Sequence, residues 1–353
     1  MRSTCVALAL LLCAFLPSNA EAANEADYRS GIAQIAAKYG AKRAWFRAEQ
    51  AGTALASVAI GGGTPNDGIQ VASLTKSITA IATALLIQDG KISLDTTLGE
   101  VLPATFKRKG YTLAASLQPI TIRCLLSHTA GLKTNYASDP IHGVASNPIF
   151  KRLSNNATVF EYIIAADANR SDGRSKFVYS NFSYSFLGLV IEAVSGKPYE
   201  VFCTERIFKP LGIADASIQG RWHGTAPYAG WRISTASMLK IWTSVFDRQN
   251  PTLLTAKTLD ETLLAKLGEP RGANHDAYYT LGVNVRQNDD RSAYRIWHNG
   301  IADLFWDNDR YTYMEQTVPG VTWIVVIDRQ PAAEQRSKLS GDVRALVEKL
   351  SGQ

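Results

Sequence analysis

Between Val71 and Gly90 the chain reads Val71-Ala72-Ser73-Leu74-Thr75-Lys76-Ser77-Ile78 and continues as an apolar run that restricts how everything else can fold. From Leu74 onward, Ile78, Ile81, Ala82, Leu85, Leu86 and Ile87 cover most of a helical wheel, and Asp89-Gly90 supplies a stop. The run is therefore a helix that neighbouring elements must enclose on nearly every side. A helix of that kind seldom carries a lysine without a use for it. At a spacing of three, Ser73 and Lys76 share one face, which brings the amino group near the hydroxyl. The helix start adds partial positive charge and unpaired N–H groups, the surroundings that an attacking serine and a developing oxyanion need. Ser-x-x-Lys also arises by chance, and a serine at a helix start is commonly just an N-cap. The pair is a nucleophile candidate whose weight depends on the rest of the chain.

With 353 residues, 46% of them hydrophobic, the chain can bury a large core as one domain or as two lobes sharing a cleft. The N-terminus has Arg2, an apolar stretch over 6–16, a Pro17-Ser18 break and the small residues Ala20, Ala22 and Ala23, the pattern of a secretory signal peptide. Residues 1–23 are expected to be removed, leaving 24–353 as a secreted or periplasmic domain. The stretch is far short of the roughly 20 residues a spanning helix needs, and Leu12 before Cys13 argues against lipid attachment. Cys124 and Cys203 then remain, each among apolar neighbours, which suits two free thiols at least as well as a disulfide. The five histidines form no His-x-x-x-His pair and have no carboxylate cluster beside them, so neither a metal nor a cofactor is expected. The formal charge of +6 is spread along the chain, and Lys107-Arg108-Lys109 reads as a solvated turn. No nucleic-acid motif accompanies it, and the expected partner is a small-molecule or short-peptide substrate.

The periodic pieces are helices and strands in an uneven order. A helix over 28–37 precedes strands over 44–48 and 55–60, and helical pieces over 120–126, 157–166, 184–194 and 199–207 follow the Ser73 helix. Strand patterns return at 279–285, 294–298, 310–316 and 322–327, with Pro319-Gly320 turning the last pair, and a helix over 334–350 closes the chain. Strands at both ends with helices between them predict an α+β fold. An antiparallel sheet lobe flanked by helices, about 24–70 and 275–353, is built from both termini, and a mainly helical lobe occupies about 71–274. The cleft between them is the default place for a site.

Two further segments point at that cleft: Phe177-Val178-Tyr179-Ser180-Asn181-Phe182 before a helix, and Trp297-His298-Asn299-Gly300 at the end of a strand. The ordered set of Ser73-Leu74-Thr75-Lys76, Tyr179-Ser180-Asn181 and His298-Asn299-Gly300 resembles the active-site signature of the serine β-lactamase and penicillin-binding hydrolases. It is most similar to the class C β-lactamase branch with its esterases, D-aminopeptidases and DD-carboxypeptidases. The text from about Gln70 to Ile213 fits the same family, including Ile120-Thr121-Ile122-Arg123-Cys124-Leu125-Leu126-Ser127-His128-Thr129-Ala130-Gly131-Leu132. Beyond it the likeness thins. The stretch Ile301-Ala302-Asp303-Leu304-Phe305-Trp306-Asp307-Asn308-Asp309 lacks the glycine-rich loop many members show.

The resemblance implies a β-lactamase/transpeptidase-like fold and a serine hydrolase working through an acyl-enzyme on ester or amide bonds. β-Lactam hydrolysis, or a slowly deacylating penicillin-binding sensor, remain as alternatives. It implies Ser73 as nucleophile, Tyr179 as general base, Lys76 as a positive charge or a sharer of the proton, Asn181 as a donor to the substrate, and the backbone N–H groups of Ser73 and Ile301 as oxyanion hole. His128 reads as structural. Lysine and tyrosine both start near pKa 10 in water, so acting near neutrality requires a shift of roughly 3 units, which burial gives a lysine and an adjacent ammonium gives a tyrosine. Where penicillin-recognising members carry Lys-Thr-Gly, this chain has His298-Asn299-Gly300, whose glycine lets substrate lie against the strand. A histidine near its reference pKa of about 6.5 is mostly neutral at pH 7, so carboxylate binding should be weak and neutral esters or amides favoured. Carboxylate-bearing substrates should then gain as the pH falls and His298 becomes cationic.

Overall fold

The computed structural model describes residues 25–132, 158–165, 176–218, 220–248, 252–271, 275–302 and 310–352. The expected signal segment at 1–23 lies outside them, as do residues 303–309 of the stretch after Gly300. The strands are β1 (Ala44–Gln50), β2 (Thr53–Ile60), β3 (Ile69–Gln70), β4 (Arg232–Ile233), β5 (Tyr278–Thr280), β6 (Val283–Gln287), β7 (Tyr294–Ala302), β8 (Arg310–Val318) and β9 (Val321–Ile327). Among the described residues, seven of them form one antiparallel sheet in the order β2-β1-β9-β8-β7-β6-β5, and β3 pairs only with β4. The helices used below are α1 (Glu25–Lys38), α2 (Thr75–Gln88), α3 (Ile122–Leu126), α4 (Val159–Ala165), α5 (Asn181–Ser195), α6 (Thr235–Val245) and α7 (Ala333–Ser351). The fold is the α+β arrangement expected from the sequence.

The sheet is covered on both faces, which is why β9 reads Val-Thr-Trp-Ile-Val-Val-Ile without a polar alternation and is buried throughout. On one face Trp323, Val325 and Ile327 meet Tyr28, Ile32 and Ala36 of α1 and Leu339, Val343 and Val347 of α7. On the other face Ile324 and Val326 belong to the large core that contains α2, α5 and α6. A bidentate pair helps lock α7 to the sheet: Arg344 Nε and Nη2 donate to Glu315 Oε1 and Oε2 at 2.7 and 2.6 Å. Helix α2 runs through the middle of the other core. Every residue from Thr75 to Leu86 is buried, so the enclosure implied by its composition is realised. Each buried Leu or Ile there contributes about 1.5–3 kcal/mol relative to exposure.

Two strand expectations need correction. The stretch 279–285 is not one strand but the hairpin β5–β6, because Leu281 and Gly282 both take positive φ, 44° and 77°, and reverse the chain in two residues. A side chain at Gly282 would place its Cβ 2.5 Å from the Lys76 carbonyl oxygen and 2.8 Å from Ser77 Cα, so this tight turn presses directly on α2. Likewise, His298-Asn299-Gly300 does not end a strand. It lies inside β7, paired with Met314, Tyr313 and Thr312 of β8. β6 pairs with β7 only up to Trp297, so among the described residues no strand covers the other edge of β7 from His298 to Ala302.

Candidate active site

Ser73 stands in a 3-10 turn, Ala72–Leu74, that feeds α2, and it is only partly buried. The preceding Ala72 has φ 47°, a left-handed conformation that costs a residue with a Cβ roughly 1–2 kcal/mol. The surroundings hold it there. Thr312 Oγ1 on β8 donates to the Val71 carbonyl at 3.2 Å, and Gly300 on β7 approaches so closely that an added Cβ would lie 2.5 Å from that carbonyl oxygen and 3.1 Å from Ala72 Cβ. Gly300 is thus a buttress of the turn carrying Ser73.

One turn into α2, the fully buried Lys76 donates from Nζ to Ser73 Oγ at 3.1 Å, Asn181 Oδ1 at 2.7 Å and the Tyr228 carbonyl at 3.1 Å. Three acceptors match the three donors of an ammonium group. The rings of Tyr179, Tyr228 and Tyr184 stand around the same nitrogen, with centroids 4.8, 5.3 and 5.8 Å away, adding cation–π attraction to a charge taken out of water. Tyr228 comes from a segment the sequence did not mark. It is tied to α2 by the Lys76 bond and by Thr79 Oγ1 donating to the Pro227 carbonyl, and Gly188 on α5 leaves the space Pro227 occupies.

The structure therefore brings Ser73, Lys76 and Asn181 into one hydrogen-bonded cluster and sets the Tyr179 ring against Lys76. Tyr179 is 37% exposed while its ring stands against the buried ammonium. Ile301 follows Gly300 on β7. Its side chain packs with the cluster on the far face of the sheet, which leaves its backbone as the part available to the site.

His298 differs from the expectation for it. It is buried, with Nε2 3.0 Å from Tyr279 Oη and Nδ1 2.6 Å from the Asn299 carbonyl. A carbonyl only accepts, so Nδ1 carries the proton and Nε2 accepts from the tyrosine, engaging both nitrogens. Burial, with the Lys76 and Arg271 charges adding to it, holds its pKa down at about 3. The expected gain of charge at His298 in mildly acidic solution is thus corrected: a third cation there is opposed by desolvation and by two others. The effect of acid falls on stability instead. The unfolded imidazole takes up a proton below about pH 6.5 while the folded one does so only near 3, so stability drains as pH falls through that window and is level above it. His298→Gln, which keeps an acceptor for Tyr279, is expected to flatten the acid slope of unfolding free energy in urea titrations by about one proton. An unchanged slope would contradict the burial of a neutral His298.

Three neighbours were not assigned to the site from the sequence. Tyr279 reaches it only because of the β5–β6 hairpin. Arg271 stacks over the Phe177 ring at 3.6 Å, donates to Asn284 Oδ1 at 3.2 Å, and acts electrostatically on Tyr279, Tyr179 and His298. His128, read as structural, has its ring centroid 4.4 Å from that of Tyr179. The two remaining cysteines are unbonded, Cys203 buried and Cys124 partly so.

Comparison with known proteins bears on the fold and the family. D-alanyl-D-alanine-carboxypeptidase/endopeptidase AmpH of Escherichia coli (strain K12) is 28% identical over 149 residues, 42% of this chain and 36% of that protein. The chain spans about a third of the length of the curated relatives it matches. Among solved structures, a D-stereospecific amidohydrolase from Streptomyces sp. superposes with a TM-score of 0.69 at 19% identity, covering 92% of this chain and 98% of that one. D-amino acid amidase from Ochrobactrum anthropi SV3 does so with a TM-score of 0.68 at 17% identity, covering 93% and 97%. At those identities the likeness is one of fold. The family model described as Beta-lactamase matches residues 51–345, a span holding the Ser73 turn, Lys76, Tyr179, Asn181 and the β7 edge, and on it the chain belongs to the beta-lactamase family of serine hydrolases.

Proposed function

We propose that the protein is an exported hydrolase that cleaves ester or amide bonds in small molecules or short peptides through an acyl-enzyme on Ser73. The observation that carries this is the buried Lys76 Nζ shared by Ser73 Oγ, Asn181 Oδ1 and the Tyr228 carbonyl. An ammonium with all three protons engaged cannot also take the serine proton, so the base role falls to Tyr179, whose ring borders the same charge. Ser73 Oγ then attacks the carbonyl carbon as its proton passes to the Tyr179 oxygen. Charge that develops on the substrate oxygen is met by the N–H groups of Ser73 and Ile301, with Asn181 orienting the substrate. Collapse expels the alcohol or amine with the proton returned from Tyr179, and water completes the cycle by the same route. Substrate lies along the β7 edge from His298 to Ala302, which no strand covers among the described residues and which main-chain hydrogen bonds can extend as an added strand.

A neutral, fully engaged His298 offers no charge to a carboxylate. Loss of one charged hydrogen bond of about 1.5–3 kcal/mol corresponds to roughly 10–100-fold in affinity. Short-chain aryl esters and D-amino-acid amides are therefore expected to exceed a chromogenic cephalosporin in kcat/KM by that factor, with D-Ala-D-Ala peptides between them. The amide arm draws on the neighbours' names, a D-stereospecific amidohydrolase and a D-amino acid amidase. The panel is run on protein recovered from the exported fraction, with its N-terminus sequenced. Preference for the cephalosporin would sink the ester and amide reading in favour of a β-lactamase, and a burst without turnover would mark a penicillin-binding sensor.

A further inference from the structure

His128 is buried in the left-handed region at φ 57° and grips the chain on both sides of Tyr179. Its carbonyl accepts the Val178 N–H at 2.9 Å, and its Nδ1 accepts the Ser180 N–H at 3.1 Å. A ring nitrogen that accepts a backbone N–H carries no proton, so a neutral imidazole here has its proton on Nε2. Among the described residues, Nε2 is buried with no hydrogen-bond partner. The ring instead lies among the aromatic centroids of Tyr179 at 4.4 Å, Tyr279 at 4.6 Å, Tyr184 at 5.2 Å and Phe177 at 5.8 Å, surroundings in which an N–H rests against π faces.

We propose that His128, as the neutral Nε2–H tautomer, is the positioning residue that fixes the Tyr179 phenol for proton transfer with Ser73. It does this by holding the peptides before and after Tyr179 and by setting its ring, tilted by 42°, against the phenol ring. The inference rests on the reading of Tyr179 as the base. The groups facing the imidazole are Lys76 from α2, His298 from β7, Arg271 from the segment before β5, and the phenols of Tyr179, Tyr184 and Tyr279. Burial, then the Lys76, His298 and Arg271 interactions, hold the His128 pKa well below its usual value, so the Nδ1 acceptor persists through the neutral range. The αL backbone puts the carbonyl and the ring on the same passing strand of chain, and asparagine tolerates that conformation among residues with a Cβ.

The test has two arms on the full mature protein. In the wild type, long-range ¹⁵N–¹H correlation is expected to show His128 as the Nε2–H tautomer with no titration between about pH 7.5 and 5.5; an Nδ1–H tautomer would overturn the proposal. In the second arm, His128→Asn keeps an oxygen near the Nδ1 position, whereas His128→Leu removes the acceptor. The leucine variant is expected to lose about 10²-fold in kcat and in the rate of fluorophosphonate labelling of Ser73, with KM unchanged. The asparagine variant is expected to stay within about tenfold of wild type. A leucine variant as fast as wild type, or an asparagine variant as slow as leucine, would overturn it. If the leucine variant does not fold, the tautomer and the asparagine rate decide. Wild-type protein that is not labelled at Ser73 would instead remove the nucleophile assignment on which the inference rests.

Discussion

Ser73→Ala is expected to abolish fluorophosphonate labelling and to lower kcat by about 10⁴-fold or more, while Tyr179→Phe and Lys76→Ala each lower it by about 10²-fold or more. The phenylalanine removes one oxygen from a side chain that is 37% exposed, so folding should be retained and the loss should sit in kcat. The lysine is a different case. Its removal leaves Asn181 Oδ1 and the Tyr228 carbonyl without the donor they share, inside a core where unpaired polar atoms are costly. Melting temperature must therefore be measured beside rate, and labelling should slow even in the folded fraction. Because Lys76 Nζ stands 4.8 Å from the Tyr179 ring centroid, coupling between the two is expected. The double variant is expected to lose far less than the product of the single losses. Losses that multiply independently would refute the shared proton pathway, and near-normal turnover in Tyr179→Phe would return the base role to Lys76.

What the sequence made legible here was mostly local. Ser73 and Lys76 are one helical turn apart, so their contact follows from a spacing that any reader of the chain can count. The apolar wheel of α2 implied its central position, and the strands at both ends implied the sheet, for equally short-range reasons. Tyr179, Asn181 and His298 are separated from Ser73 by a hundred residues or more, and only a family resemblance could link them. Periodicity did not reveal the hairpin between β5 and β6, because Leu281 is not a turn former by propensity, yet it takes φ 44° beside a Gly282 that lies close against α2. That one missed turn explains a second miss. Tyr279 reaches His298 only when β5 is a separate strand, and the environment of His298 is set by that tyrosine, by Lys76 and by Arg271. His128 was visible as a residue but not as a clamp, since the grip on Val178 and Ser180 depends on a positive φ that nothing in Ser127-His128-Thr129 announces.

The same logic of close approach gives the second large effect, at Gly300. Its neighbours leave no room for a methyl group: an alanine Cβ would fall 2.3 Å from Thr312 Oγ1, 2.5 Å from the Val71 carbonyl oxygen and 3.1 Å from Ala72 Cβ. Two of these atoms belong to the turn that carries Ser73. Either β7 moves away from that turn or the turn moves with Ser73 on it, and both change the distance between Ser73 and the β7 edge. A displacement of about 1 Å in a reacting group costs on the order of 10²-fold, so Gly300→Ala should lose about that much in kcat/KM. Overpacking of this kind should also lower stability by about 1–3 kcal/mol, measurable in urea. Adding Thr312→Ala distinguishes the obstacles. It removes the nearest atom and also the Thr312 bond to Val71, but the Val71 carbonyl is backbone and stays in the way. The pair Gly300→Ala and Thr312→Ala is therefore expected to recover only a minor part of the loss. Full recovery would show that the side chain of Thr312 alone set the spacing, and wild-type kcat/KM in Gly300→Ala itself would show that the Ser73 turn does not lean on β7.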